Sequence, residues 1–354
     1  MIRLPQESCA CNSRINASLP QPRPEIQGNN VKSWWLHTDT QPSTLELRDI
    51  PIPGPKPGEL RIKVHAASLN RGEFLSSPSL SAAGGATAAG SDCAGVVDAV
   101  GTDVIGWKIG DRVMGTARGA YAEYAIFDAR LANAAPEKLS WEEAAAAPIT
   151  FMVTHDMLWA QGHLKAGEWL LITSVSSGVG VACLQAAKAI GARVIGTSGS
   201  RAKLDRLKRL GLDIAIETRK PDFAAAVLDA TGGKGADLVV NNVGGSVFAE
   251  CIQCMAFQGR LATVGYLDKT FSAEIDLATL HAKRLHLFGV SNKHRPVHER
   301  AAMLPAYRRD ILPLFADGRI KPLVDKVFSL EELPKARDCM ESNSAVGKIV
   351  LKVI

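Results

Sequence analysis

A glycine-bearing turn, Ser174-Val175-Ser176-Ser177-Gly178-Val179-Gly180, lies between two short apolar runs and constrains what surrounds it. The first run is Trp169-Leu170-Leu171-Ile172-Thr173; the second, Arg193-Val194-Ile195-Gly196-Thr197, follows a helix-like stretch over residues 181–191. Strand, tight turn, helix and strand fit in about 30 residues, the length of a βαβ unit that holds a dinucleotide. Glycines let the backbone approach a pyrophosphate, and the N–H groups and positive dipole end of the helix stabilise its charge. Ser174 stands at the first position of the usual G-x-G-x-x-G pattern. An isolated turn of this kind also reads as an ordinary strand-to-helix connection; its place between two strands favours the cofactor.

The end of the second strand bears on which cofactor. In NAD-binding units an acidic residue there accepts hydrogen bonds from the adenosine ribose. Here the strand runs into Gly196-Thr197-Ser198-Gly199-Ser200-Arg201-Ala202-Lys203, a window without a carboxylate. A carboxylate repels a 2′-phosphate, whereas hydroxyls and cations hold it through charge-assisted bonds. Ser198, Ser200, Arg201 and Lys203 form such a set, and NADPH is the expected cofactor. Arg206, Lys208 and Arg209 read better as a solvated helix face, whereas Lys203, in the first turn, reads as a phosphate ligand.

With 354 residues and 46% hydrophobic content the chain has room for two globular domains. Its net charge of +5 is spread without a block of like charges, so no nucleic-acid partner is expected. No run of 18 apolar residues occurs, and no membrane span is expected. Seven scattered cysteines, an odd number, argue for reduced thiols in a cytoplasm. Cys251 and Cys254 have C-x-x-C spacing but no second pair, so helix packing is favoured over zinc. The first 30 residues lack an apolar leader core and are rich in Pro, Gln, Ser, Asn and Arg; they read as a loose extension, or as a start site placed too early.

In chain order, residues 31–36 and 44–50 alternate like strands, and a Pro/Gly hinge over residues 51–58 leads into a period-two strand over residues 59–66. Short β segments over residues 93–101, 112–114 and 121–127 complete a β-rich part. Helices are expected over residues 142–147 and 150–159. Strands over residues 213–216, 237–241, 260–265 and 285–290 join the two flanking the turn to make six, with a helix over residues 301–315 after the sixth. That pattern predicts an α/β fold with a doubly wound parallel sheet. Residues 321–354 return to β segments.

Several separated motifs then carry a resemblance. They are Gly90-Ser91-Asp92-Cys93-Ala94-Gly95-Val96-Val97, Val104-Ile105-Gly106-Trp107-Lys108-Ile109-Gly110-Asp111-Arg112-Val113, Ala120-Tyr121-Ala122-Glu123-Tyr124, Ser177-Gly178-Val179-Gly180, Asn242-Val243-Gly244-Gly245 and Gly347-Lys348-Ile349-Val350-Leu351. Over residues 31–354 the chain resembles the medium-chain dehydrogenase/reductase superfamily, most closely its zinc-free quinone oxidoreductase branch. The resemblance implies a six-stranded Rossmann sheet over residues 151–294. It implies a GroES-like β-rich catalytic domain built from residues 31–150 and 295–354, with residues 1–30 outside both. It also implies a homodimer joined edge to edge through the sixth strands.

Zinc relatives place a Cys in the region that reads Ala67-Ser68-Leu69-Asn70-Arg71-Gly72-Glu73 here, and Gly-His-Glu where this chain has Gly90-Ser91-Asp92; the four-Cys lobe is missing and no metal is expected. Without a Lewis acid nothing lowers the pKa of an alcohol or polarises a simple ketone. The chemistry implied is hydride, or electron, delivery from NADPH to a conjugated small molecule, a quinone first, with an enone or enoyl thioester as the alternative. A structural or RNA-binding role with little catalysis is a third reading, against which the lack of a concentrated basic patch counts.

The resemblance also assigns residues. Asn70 matches an Asn beside the nicotinamide whose amide would donate to substrate oxygen; it equally suits a turn after a strand. Phe74 replaces the tyrosine proton donor of many enoyl reductases, leaving Tyr121 and Tyr266 as phenols near matching motifs. Ser177, Gly178, Val179 and Gly180 match pyrophosphate contacts, Ser198 and Lys203 the adenosine phosphate, and Asn242 the loop beneath the ribose. Gly265 and Tyr266 follow the fifth strand, and Phe288, Gly289, Val290 and Asn292 match the stretch near the carboxamide. Val153 stands where relatives carry a Thr on the nicotinamide, so Thr154 or His155 is the expected substitute, His155 also as a proton donor.

Overall fold

The computed structural model describes residues 30–38, 43–74, 85–292 and 295–354. The expected N-terminal extension lies outside the described residues except for Asn30, which opens the first strand; residues 75–84 also lie outside them.

Among the described residues, eight strands come before the one that leads into the glycine turn: β1 Asn30–His37, β2 Thr44–Pro51, β3 Glu59–Ser68, β4 Ala86–Ala88, β5 Asp92–Val100, β6 Arg112–Arg118, β7 Tyr124–Asp128 and β8 Asn133–Ala134. β3 buries every second residue through Leu60, Ile62 and Val64, as its period-two pattern requires. It pairs with β5 on one side and is closed by β7, so β3, β5, β6 and β7 wrap around one apolar core. β7 begins at Tyr124 rather than Tyr121 because Tyr121 is drawn off the sheet: its N–H donates to Ala89 O and its carbonyl accepts from Trp34 N.

Six further strands, β9 Trp169–Ile172, β10 Arg193–Ser198, β11 Ile214–Glu217, β12 Ala236–Asn241, β13 Met255–Thr263 and β14 His286–Gly289, form an all-parallel sheet in the order β11-β10-β9-β12-β13-β14. This is the doubly wound order, which reverses direction between β9 and β12. All four residues of β9 are buried, since helices cover both faces of a parallel sheet. β15 Val324–Ser329 and β16 Lys348–Lys352 return the chain to the first sheet, where β16 pairs with β3.

Four helices matter for the site: α1 Trp141–Ala145, α2 Pro148–His155, α3 Gly178–Ile190 and α4 Arg201–Lys208. Pro148 opens α2 at its first turn, where a missing N–H costs nothing. The helix continues past His155 as a π turn, Asp156–Ala160. α3 starts at Gly178, three residues earlier than its apolar pattern suggests, because Ser177 caps it by accepting from Gly180 N. The helix expected over residues 301–315 is two, Val297–Asp310 and Leu312–Asp317. Cys251 and Cys254 are buried at the end of the Phe248–Gln253 helix, in the apolar layer under the sheet.

Gly95, paired with Val64 across β3, has no room for a side chain: a Cβ there would lie 2.1 Å from Lys63 O. Overpacking typically costs about 1–3 kcal/mol, and a backbone atom cannot rotate aside. Gly95→Ala is expected to lower the stability measured by denaturant unfolding by at least that amount, while Gly54→Ala, with no atom within 4 Å, leaves it nearly unchanged.

Candidate functional site

The dinucleotide turn is built as the βαβ logic requires, with one substitution. Ser174 takes φ +50°, the left-handed conformation usually given to glycine, and its N–H donates to Thr197 Oγ1 at 3.3 Å. Gly180 cannot be replaced cheaply, since a Cβ would lie 2.6 Å from Val175 O. In the first turn of α3 Gly178 lies beside the short parallel bridge between Ser177 and Gly347, and the Val179 N–H has no protein acceptor among the described residues. Such an orphan donor at a helix start suits an anion.

The adenosine end holds more charge than the strand end alone displays. Ser198 closes β10 and is buried beside Ser176, Oγ to Oγ 3.5 Å. Ser200 caps α4 without a side-chain cap bond. Arg201 is held by Glu217, which ends β11 and accepts from both its backbone N–H, at 3.1 Å, and its Nε, at 3.2 Å. A carboxylate absent from the local window is thus brought in by the neighbouring strand. So is a cation: Arg219 packs over Gly199 so closely that a Cβ there would lie 2.4 Å from its Cγ. Among the described residues no ion pair or hydrogen bond engages the Arg219 guanidinium. Lys203 donates to Asn343 O and to Ala345 O, the latter at 3.0 Å; burial lowers its pKa, opposed by Asp325 and helped by Arg219 and Arg206.

The loop those carbonyls belong to binds the two sheets together. Gly347 N donates to Ser176 O at 2.9 Å, and Arg71 reaches across to Met340 O at 2.5 Å and Asn343 Oδ1 at 2.7 Å. Just beyond, Lys348 enters the protein. Its stem lies against Gly178, and its ammonium donates to Leu69 O at 2.8 Å and Asn70 Oδ1 at 2.6 Å.

Asn70 is the hub of a buried polar network. Its Nδ2 donates to Asp92 Oδ2 at 2.9 Å and Glu73 Oε1 at 3.2 Å. Asp92 also accepts from Ile149 N at 3.2 Å, and Glu73 from the hydroxyls of Ser91 and Tyr121. Burial raises the Asp92 carboxyl to about 7, against the pull of Lys348 and the Asn70 bond. The Tyr121 phenol is raised by burial and then by Glu73. Lys348 is lowered by burial, opposed by Asp92 and Glu73.

Three of the expected residues are engaged within the protein. Both amide protons of Asn70 are held by carboxylates. Thr154 is fully buried with its hydroxyl on Thr150 O at 2.9 Å and near Cys183 Sγ; it faces α3, because one helical residue rotates it about 100° from Val153. His155 is buried between Trp159 and Tyr307 with Nε2 on Asp310 at 2.9 Å, tying α2 to the Val297–Asp310 helix. Tyr121 belongs to the network, wholly buried.

The loops at the carboxyl ends of the strands gather the remaining candidates. Asn242 Nδ2 donates to Thr173 O at 2.9 Å, joining β12 to β9, and Gly265 passes so close that a Cβ would lie 2.7 Å from Asn242 O. Tyr266 packs on Phe271 with ring centroids 5.0 Å apart. Phe288 and Val290 flank the exposed Gly289 and pack into the core beneath α3. Asn292 has both amide heavy atoms buried without a partner among the described residues.

Two family descriptions match: the alcohol dehydrogenase GroES-like domain over residues 56–137 and the zinc-binding dehydrogenase over residues 178–307. Human quinone oxidoreductase is 29% identical over 88% of this chain and 94% of its own length. A solved structure titled NAD-dependent alcohol dehydrogenase is 31% identical, covers 91% of this chain and all of its own, and has a TM-score of 0.78. The chain belongs to the medium-chain dehydrogenase/reductase superfamily. A mycobacterial member solved in complex with NADPH superposes with a TM-score of 0.81 at 26% identity, over 91% of this chain and all of its own. A phenolphthiocerol/phthiocerol polyketide synthase of Mycobacterium tuberculosis is 32% identical over 87% of this chain, which spans only 14% of that protein's length.

The group that membership implies is a nicotinamide cofactor, such as the NADPH of the mycobacterial member. The residues fit that group: among the described residues they offer a free N–H at Val179 in the first turn of α3, an unpaired guanidinium at the adenosine end, and the unpaired amide of Asn292. They do not fit the zinc that the second description names. The amide of Asn70, the hydroxyl of Ser91 and the ammonium of Lys348 occupy the network, and burial raises the Cys93 thiol well above its ordinary pKa. Among the described residues no three His, Cys, Asp or Glu side chains converge as a metal site, and no helix is long and apolar enough to cross a membrane.

A carboxyl whose folded pKa is raised stabilises the fold below its unfolded value and loses that contribution as pH climbs through the folded value. For Asp92 the window runs from its ordinary 3.8 to about 7. The melting temperature of the wild type relative to Asp92→Asn is therefore expected to fall across that window and level off above it.

Proposed function

We propose that this chain is an NADPH-dependent reductase of conjugated acceptors, with quinones the preferred class. The observation that carries the reading is the junction at Gly178, where the dinucleotide turn meets a buried network of Asn70, Asp92, Glu73 and Lys348. Bound there, the cofactor supplies a hydride; the network supplies fixed charges and held protons in place of a metal ligand set. An acceptor already polarised by conjugation needs no more than this, whereas an alcohol does. The similarity to human quinone oxidoreductase supports the quinone class.

Preference for NADPH rests on Ser198, Ser200, Lys203 and, above all, Arg219, whose guanidinium is unspent. Glu217 opposes it but is engaged by Arg201. NADPH oxidation by the purified chain with a panel of quinones, enones and enoyl thioesters tests the class, with NADH alongside. Quinone turnover that prefers NADPH and survives chelation is expected; turnover confined to enones and enoyl thioesters would transfer the reading to double-bond reduction. Arg219→Ala is expected to raise KM for NADPH about tenfold or more and leave KM for NADH nearly unchanged, since a charge-assisted bond contributes about 1.5–3 kcal/mol.

A homodimer through β14 is part of the same reading. That strand is the open edge of the six-stranded sheet and presents Leu287, 38% exposed, with Leu277 and Phe257 exposed on neighbouring elements. An unpaired edge of this kind is normally covered. Sedimentation is expected to return twice the chain mass.

A further inference from the structure

Lys348 is a lysine with only 6% of its surface exposed, running from the nucleotide turn into the other sheet. A Cβ on Gly178 would lie 2.7 Å from its Cδ, so the opening residue of α3 leaves space for this stem. An ammonium carries three protons. Two are placed, on Leu69 O and Asn70 Oδ1, both uncharged acceptors. Among the described residues no carboxylate lies within ion-pair distance of it, and the third N–H has no protein acceptor. Enclosing a cation on neutral acceptors is costly unless charge balances it from nearby or it has a use. Asp92 and Glu73 balance it from a distance, through Asn70.

We propose that the Lys348 ammonium meets the negative charge developing on the acceptor's oxygen and gives that oxygen its proton. The inference rests on the reductase reading above. The bound cofactor would supply a hydride with its electron pair, forming a C–H bond at the acceptor's electron-poor carbon. The conjugated π pair moves onto the acceptor's oxygen, an N–H bond of Lys348 breaks, and an O–H bond forms. NADPH is oxidised by two electrons, the acceptor is reduced by two, and the amine regains a proton from solvent before the next turnover. Asn70 is the positioning residue: its Oδ1 holds the ammonium while its Nδ2 is fixed by Asp92 and Glu73. The titratable groups facing Lys348 are Asp92 from β5 and Glu73 from the turn after β3, with Tyr121 behind Glu73; α3 brings Gly178 and no charge. Burial lowers the lysine's hold on its proton, the direction a proton donor needs.

The test uses full-length wild type, Lys348→Met and Lys348→Arg, with melting temperature, NADPH affinity by fluorescence titration, and kcat across pH with a quinone. Lys348→Met is expected to lose about 100-fold or more in kcat, as removal of one oxyanion donor or general acid does, with NADPH affinity within about threefold. Lys348→Arg keeps the charge but holds its proton near neutrality, so it is expected to lose about tenfold or more in kcat. Wild-type kcat should fall as pH rises through the lysine's ionisation, and that alkaline limb should vanish in both variants. Either variant retaining kcat within about threefold, with the limb intact, overturns the role of Lys348. A flat alkaline profile in the wild type overturns it without any variant. A wild type that binds NADPH yet reduces no conjugated acceptor overturns the reductase reading itself.

Discussion

The contact between the loop leading into β16 and the turn before α3 holds the site together. Gly347 N bonds to Ser176 O, Lys203 bonds to the carbonyls of Asn343 and Ala345, and Arg71 bonds to Met340 O and Asn343 Oδ1 from the β-rich side. One strand-like loop is thereby clamped between the two sheets. That clamp threads Lys348 past Gly178 and brings its ammonium to Asn70. A polar network that would otherwise belong to the barrel alone is tied to the cofactor turn.

The network is an electrostatic balance. A buried carboxylate, a half-buried one and a buried ammonium are gathered together, and Asn70 mediates by accepting from the lysine while donating to both acids. Low-dielectric surroundings make each of these bonds stronger and each unpaired group costlier. Asp92, raised to about 7, is where that tension is expressed. The same tension makes the region chemically responsive, since perturbed ionisable groups concentrate where reactions are run.

The adenosine end shows how a local reading can be right in direction and incomplete in content. The window from Gly196 to Lys203 carries no carboxylate, yet β11 pairs in parallel with β10 and places Glu217 and Arg219 at its end. Arg219 is not visible from that window, because it lies 16 residues beyond Lys203 (219 − 203) with a helix and a strand between. The signal that points to it is Gly199, which must be small for Arg219 to lie over it. In the same way Gly178 is the sequence trace of Lys348.

Periodicity and turn chemistry are legible without coordinates. The six strands of the parallel sheet, the β-rich part before them and the β return at the end follow from alternation, buried apolar runs and glycine placement, all of which are local properties of the chain. Element ends are less legible: Tyr121 reads as strand, but hydrogen bonds to Ala89 and Trp34, far away in sequence, draw it off β7. Side-chain direction is not legible at all. Thr154 and His155 follow Val153 directly, and only packing of α2 against α3 and the Val297–Asp310 helix decides that their polar atoms turn to Thr150 and Asp310. The sequence by itself thus determined the elements and their chemistry class, because those depend on neighbours along the chain. Tertiary structure decided which polar groups are spent and which remain free, because Asn70, Asp92 and Lys348 meet only when three segments distant in sequence converge.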